Sequence, residues 1–278
     1  MSIPNETQNM AIYCDFENLA LGVKDTPYRN LDVRLILEKL LLKGNIVVKK
    51  AYCDWVRYQD FKVTMHEAAF ELIDIPHVRI SGKNSADIRL VVDALDLCYT
   101  KAHVDTFVIL SGDSDFSPLV SKLRENNKTV IGVGVKNSTS DLLTANCDEF
   151  IYYDDLARQD AREKQRRSQK KKRKKQENKA TQDKSEKSSQ ESSIEEKKEE
   201  AWELIQETYE DLLEERGDGS KIWGSMIKQT LKRRKPGFNE TYYGFRSFGE
   251  LLSEAESAGV VELERDERSG GFIIKGCN

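Results

Sequence analysis

The chain has 278 residues, 33% of them charged and 38% hydrophobic, with a formal net charge of -4. That length exceeds what one compact core needs, and the stretch from Leu156 to Glu200 holds almost no large apolar side chain, so two folded units around a linker are expected. No run approaches the roughly 20 apolar residues that cross a bilayer, and Met1-Ser2-Ile3-Pro4 opens without a basic start or apolar leader, so the expectation is a soluble, cytoplasmic protein.

Short β-rich runs alternate with amphipathic helical patterns over residues 10 to 151, the signal of βαβ units and a mostly parallel sheet with helices on both faces. The first strand is expected at Met10-Cys14, then a helix over Val33-Leu42, a strand at Ile46-Cys53, a helix over Tyr58-Ile73 and a strand at His77-Ile80. A helix over Ala86-Lys101, a strand at Thr106-Leu110, a helix over Phe116-Glu125 and a strand at Thr129-Val135 follow. Ser140-Ala145 reads as a last short helix and Phe150-Tyr152 as a last short strand.

The linker is rich in Lys, Glu, Gln and Ser and cannot bury enough surface to offset chain entropy, so residues 157–200 are expected to be disordered. It is also where positive charge gathers: residues 157–200 carry 16 basic against 10 acidic side chains, whereas the flanking segments are net acidic. The run Lys170-Lys171-Lys172-Arg173-Lys174-Lys175 would attract polyanions without reading a base, and it reads equally as a solubilising tether or a localisation tag. Helical spacing returns from Ala201 and stops near Gly217-Asp218-Gly219. Helices at Trp223-Arg233 and Ser247-Ala258 then precede strands at Val260-Arg265 and Gly271-Lys275, a winged-helix pattern. The expected division is 1–156, 157–200 and 201–278.

The cysteines Cys14, Cys53, Cys98, Cys147 and Cys277 stand apart without a C-x-x-C pair, and His66, His77 and His103 lack zinc-ligand spacing. Neither a zinc site nor a Cys-His or Ser-His-Asp nucleophile is expected. Gly132-Val133-Gly134 lacks the third glycine of a dinucleotide fingerprint and reads as close backbone packing.

Open parallel sheets bind ligands beyond the carboxyl ends of their strands. Asp15-Phe16-Glu17-Asn18, Lys83-Asn84-Ser85-Ala86-Asp87 and Ser111-Gly112-Asp113-Ser114-Asp115 are all expected there. Several aspartates at one edge repel one another unless a divalent cation neutralises them, and an oxygen-only donor set suits Mg²⁺ or Mn²⁺. Such ions can activate water and stabilise the leaving oxygen of a phosphodiester. The alternative for Asp113 is a turn residue, and for Asp115 the N-cap of a helix starting at Phe116. Asp15 resists such a reading, because no helix is expected directly behind it. Asp141 and Asp148 read as surface or capping groups.

Ile12-Tyr13-Cys14-Asp15-Phe16-Glu17-Asn18, the Lys83-to-Asp87 segment followed by Asp93, and Ser111-Gly112-Asp113-Ser114-Asp115-Phe116 resemble the three signature segments of the NYN, LabA-like branch of the PIN superfamily. The resemblance covers about residues 10 to 155. It implies a metal-dependent endoribonuclease with Asp15, Asp87, Asp113 and Asp115 as metal ligands and Asn18 orienting a ligand or the scissile phosphate. Asp93 would be supporting, and Ser111 and Ser114 could donate to phosphate. A non-catalytic RNA-binding or regulatory adaptor remains the alternative, since related domains can keep the carboxylates without cutting. Pairing of two copies is a further expectation.

Trp223-Gly224-Ser225-Met226-Ile227-Lys228-Gln229, Pro236-Gly237-Phe238-Asn239-Glu240, Tyr242-Tyr243-Gly244-Phe245-Arg246-Ser247-Phe248 and Leu263-Glu264-Arg265-Asp266 resemble the OST-HTH/LOTUS domain. That resemblance implies RNA binding or a protein partner. Lys228, Lys232, Arg233, Arg234, Lys235, Tyr242 and Arg246 offer phosphate and stacking contacts. The alternative is that the basic residues are ordinary surface groups and that Tyr243, Phe245 and Phe248 are core.

Overall fold

The computed structural model describes residues 8–28, 30–76, 85–162, 164–165, 189–217, 219–266 and 269–277. They belong to two compact units, Met1–Arg173 and Lys174–Asn278. Among the described residues no helix is long and apolar enough to cross a membrane.

The first unit is built on six strands: β1 (Gln8–Asp15), β2 (Gly44–Cys53), β3 (Glu71–Asp74), β4 (Thr106–Leu110), β5 (Thr129–Gly134) and β6 (Glu149–Tyr152). Their order is β3-β2-β1-β4-β5-β6 and every pairing is parallel. The order reverses between β1 and β4, which opens a crevice at the carboxyl ends of those two central strands.

Period-two alternation splits the core across the sheet. Met10, Ile12 and Cys14 of β1 with Val108 and Leu110 of β4 face one layer, and Ala11, Tyr13, Phe107 and Ile109 face the other. All are buried, so these strands read as unbroken apolar runs, as parallel strands covered on both faces must. The first layer is closed by α1 (Phe16–Lys24), α2 (Val33–Lys43), α3 (Gln59–Glu67) and the helical segment 153–162, α7. The second is closed by α4 (Ser85–Thr100), α5 (Ser117–Glu125) and α6 (Asp141–Asn146).

Two expectations change, and a third is not reached. The helix expected over Tyr58-Ile73 ends at Glu67: Ala69 takes a positive φ of 56°, and Leu72 and Ile73 enter β3, pairing with Ala51 and Tyr52 of β2. Edge pairing thus overrides the helical spacing. The strand expected at His77-Ile80 lies outside the described residues. Helix α1, not expected, begins directly after β1; Phe16, Leu19, Ala20 and Val23 are buried at helical spacing, a pattern masked by the apolar strand running into it.

Close packing at Gly132 and Gly134 is as expected. An added Cβ would lie 2.3 Å from the Phe150 ring at the first position and 2.4 Å from Thr139 Oγ1 at the second.

The second unit comprises α8 (Ser189–Arg216), β7 (Ile222–Trp223), α9 (Gly224–Arg234), α10 (Phe248–Ser257), β8 (Val261–Arg265) and β9 (Phe272–Cys277). Its antiparallel sheet has the order β7-β9-β8. Phe238, Tyr243, Phe245 and Phe248 are buried, and Gly244, with φ 89°, turns the chain between the last three where a side chain would be strained.

Helix is present at both ends of the segment expected as a linker. Leu156 and Ala157 are buried in the first unit's core, and α8 starts at Ser189, not Ala201. Glu, Lys and Gln are good helix formers, and Lys198 Nζ bonds Glu254 Oε2 at 2.8 Å, fastening this charged turn to α10.

Candidate active site

Cys14 pairs with Leu110 in the parallel register, so Asp15 and Ser111 leave adjacent strand ends side by side. The Asp15 carboxylate is 8% exposed. Its Oδ1 accepts from Asn18 N–H at 3.3 Å and its Oδ2 from the Ser111 hydroxyl at 3.0 Å. Asp15 is therefore the N-cap of α1, which corrects the expectation that no helix followed it. The cap uses one carboxylate oxygen and leaves the group acidic and central.

Ser111 is fully buried, and its Oγ also accepts from Asp113 N–H at 3.2 Å. Its proton is committed to Asp15, so it does not serve as the expected phosphate donor; it ties β1 to the loop after β4. Asn18 closes the same loop from the other side, its Oδ1 accepting from Gly112 N–H at 2.9 Å. Gly112 passes so near the turn Lys136–Ser138 that a Cβ would lie 2.3 Å from Ser138 O. Only glycine allows that approach.

Asp113 Oδ1 accepts from Asp115 N–H at 2.9 Å and caps the short 3-10 turn Ser114–Phe116. Asp115 is exposed and does not cap α5, whose N-cap, Phe116, makes no side-chain bond. The capping alternative thus belongs to Asp113 and fails for Asp115. Asp87 sits in the first turn of α4, half-buried. Lys83 and Asn84 lie outside the described residues.

Burial pushes the Asp15 carboxyl up to about 7, Asp87 and Asp113 add to the rise, and the Asn18 amide and Ser111 hydroxyl oppose it. Burial also lifts Asp87, to about 6, with Asp113, Asp115 and Glu17 contributing. Four aspartates from three segments therefore share one negative field, and among the described residues none of them forms an ion pair.

The donor set, all oxygen and short of positive charge, fits a hard divalent cation. The carboxylates are not drawn into a closed cage: among the described residues no group of three His, Cys, Asp or Glu side chains stands ready to hold a metal ion. Glu17 belongs to this field and was not assigned by sequence reasoning. It lies within the Asp15-Phe16-Glu17-Asn18 segment, and the fold brings its charge to bear on Asp87 while its carboxylate pairs with Arg57 at 3.1 Å.

Residues 9–154 match the NYN domain, more than half of the chain. The chain belongs to the NYN domain family. Its sheet, layered on both sides by helices, is the PIN-like NYN fold, and domains of this family are generally nucleases that use divalent metal ions. An uncharacterized protein of Methanocaldococcus jannaschii is 29% identical over 114 residues, 41% of this chain and 44% of the relative, so less than half of that protein's length is spanned. The crystal structure of a protein of unknown function from Vibrio parahaemolyticus aligns over 98% of its own length and 55% of this chain, at 25% identity and a TM-score of 0.49.

Within the NYN domain Asp93 stands apart from the other acids. Its carboxylate accepts from Tyr52 Oη at 2.9 Å and Arg89 Nε at 2.9 Å and meets Lys50 Nζ at 3.4 Å, while its carbonyl accepts from Tyr13 Oη at 3.2 Å. Asp93 thus fastens α4, the helix that bears Asp87, to β1 and β2. Asp148 starts β5 by accepting from Val130 N–H at 2.8 Å, and Asp141 stands in the first turn of α6 behind the N-cap Ser140.

In the second unit the basic set divides. Lys228 pairs with Glu240 at 2.8 Å and Arg234 with Asp211. Arg233 is half-buried, its guanidinium bonded to Thr230, and burial lowers its pKa. Lys232, Lys235, Arg246 and Tyr242 are exposed, and Lys197 lies over the Tyr242 ring at 4.7 Å. Tyr243, Phe245 and Phe248 are core, leaving Tyr242 as the aromatic face of that loop.

Proposed function

We propose that this NYN protein, of the LabA-like type, is a metal-dependent endoribonuclease whose second unit is an OST-HTH/LOTUS module for RNA or a protein partner. The observation that carries the reading is the mutual field of Asp15, Asp87, Asp113 and Asp115, acids from three segments, in which burial and the neighbouring carboxylates raise the Asp15 and Asp87 carboxyls. Capping accounts for one oxygen of Asp15 and one of Asp113, but not for four carboxylates gathered, without a cationic partner among the described residues, at the crevice of the sheet.

Asp15, Asp87, Asp113 and Asp115 would hold Mg²⁺ or Mn²⁺. Such a cation supplies Lewis acidity at a phosphodiester and lowers the pKa of water. The chain's own residues contribute placement. Ser111 and the Asn18 amide fix both oxygens of Asp15, Asn18 Oδ1 fixes the Gly112 amide, and Asp93 fixes the helix that bears Asp87. In the proposed organisation the nuclease unit spans 1–156 and the LOTUS-like module begins near 201, with the basic run between them adding sequence-independent attraction for RNA.

One observation favours the adaptor reading: the described acids do not form a ready three-ligand group. Cleavage of labelled single-stranded and structured RNAs in Mg²⁺, Mn²⁺ or EDTA, beside Asp113→Asn, decides between the two. Cutting that requires metal and is lost in the variant supports the nuclease; binding without cutting in any metal supports the adaptor.

A further inference from the structure

Next to the carboxylates the surface of the first unit turns apolar. Ile88, Val91 and Val92 of α4, Pro118 of α5 and Leu142 of α6 flank an open groove of about 690 Å³. Ile88, Val92 and Leu142 are 63%, 55% and 58% exposed, although each is a large aliphatic side chain. Single exposed leucines are ordinary on a protein surface, but a contiguous group in a concavity marks a binding surface. Asp87 and Asp115 line the same groove, so the apolar floor and the acidic edge are continuous.

The wall formed by the start of α5 is polar. Ser117 is only 7% exposed, and its hydroxyl has no hydrogen-bond partner among the described residues. A buried hydroxyl left without a partner is costly, and the Ser117 hydroxyl keeps its hydrogen-bonding capacity unspent in this wall. Ser114 and Ser121 line the groove beside it.

We propose that this groove is a nucleobase subsite, taking an unpaired base of the nucleotide whose phosphate lies at the carboxylates. The inference rests on the nuclease reading for the position of the phosphate. A base has flat apolar faces and a polar edge; the aliphatic side chains of α4 and α6 meet a face and the serines of α5 meet the edge. The volume is that of a small-ligand site. A second copy of the chain fits less well, because a symmetric contact through this surface would bring Asp87 and Asp115 of both copies together. A base held in a duplex offers neither a free face nor a free pairing edge, so the groove selects single-stranded substrate.

The test uses the full chain and compares adenosine 5′-monophosphate and uridine 5′-monophosphate with ribose 5-phosphate by calorimetric titration in Mg²⁺, since none of the three can be cleaved. The nucleotides are expected to bind about tenfold more tightly than the sugar phosphate. Val92→Asp and Leu142→Asp, at exposed positions that leave the core intact, are expected to erase that difference, and Ser117→Ala to reduce it by about fivefold. Equal affinity for nucleotide and sugar phosphate, no nucleotide binding at millimolar concentration, or a preference that survives Val92→Asp overturns the proposal. So does a Val92→Asp variant that turns a sedimenting dimer into a monomer without changing nucleotide affinity, which would make the groove a contact between copies. RNA cleavage measured on the same preparations separates the two readings: cutting without base preference removes the subsite alone, and base preference without cutting removes the nuclease alone.

Discussion

The Ser111 hydroxyl and the Asp15 carboxylate meet at 3.0 Å across the ends of β4 and β1, both buried. This bond joins the two strands at the point where the order of the sheet reverses, and it favours the charged form of an acid that burial otherwise drives toward neutrality. Ser111→Ala removes it with almost no change of volume. Metal-dependent cleavage is expected to fall, with its acidic limb moved to higher pH, and stability to drop by about 1–2 kcal/mol. A pH–rate profile and urea unfolding measure both; an unmoved acidic limb would show that Ser111 does not tune Asp15.

The elevated Asp15 carboxyl makes stability depend on pH. Because its folded pKa, about 7, lies above the ordinary value of 3.8, the folded state binds the proton more tightly than the unfolded state. Its contribution therefore favours folding below about pH 4 and is lost as pH rises toward 7. In EDTA, Asp15→Asn, which keeps an oxygen for the Asn18 amide but no charge, should become more stable than the parent by an amount that grows over this window to on the order of 4 kcal/mol. Mg²⁺ should narrow the gap above pH 7. Urea midpoints that differ equally at pH 5 and pH 8 would contradict the assignment.

Gly112→Ala should disturb the site through its backbone. A Cβ there would lie 2.3 Å from Ser138 O and 2.9 Å from Thr139 Cα, both backbone atoms that cannot swing aside. A loss of about 1–3 kcal/mol is expected, together with weakened cleavage as the Asn18–Gly112 bond shifts. Thermal unfolding beside RNA cleavage measures it, and a neutral substitution would mean that the turn at Lys136–Ser138 yields freely.

Asp93 should matter most at neutral pH. Burial opposes its charge, but the Tyr52 hydroxyl, Lys50 and Arg89 hold its carboxyl below the ordinary value. Its support is therefore present above the ordinary carboxylate pKa and is lost as pH falls through the folded value. Asp93→Asn is expected to destabilise by about 1–3 kcal/mol at neutral pH, with a gap that closes in acid. Unfolding at pH 7 and pH 3 checks this; a gap that widens in acid would reverse the sign.

The sequence by itself determined the alternation of strands and helices in the first unit and the gathering of acids at one edge, because apolar period and strand-end position are local properties. Met10 to Cys14 and Thr106 to Leu110 are apolar throughout, and only a strand covered on both faces tolerates that. The aspartates of Asp15-Phe16-Glu17-Asn18 and Ser111-Gly112-Asp113-Ser114-Asp115 could be placed beyond strand ends for the same reason. Aromatic residues in a short module likewise pointed to Tyr243, Phe245 and Phe248 as core.

Tertiary structure decided what each of those residues does. Leu72 and Ile73 lie at helical spacing from Met65, yet the free edge of β2 recruits them into β3. Ser111 looks like a phosphate donor until the neighbouring strand end brings Asp15 within reach of its hydroxyl, and Asp15 looks free of capping until α1 follows it directly. Glu17 enters the field of Asp87, and Asp93 turns to Tyr52, Lys50 and Arg89, through contacts between segments far apart in the chain. Local pattern fixes which face a residue occupies; which partner it finds there depends on the crossing of distant segments, and hydrogen bonding and charge respond to that partner.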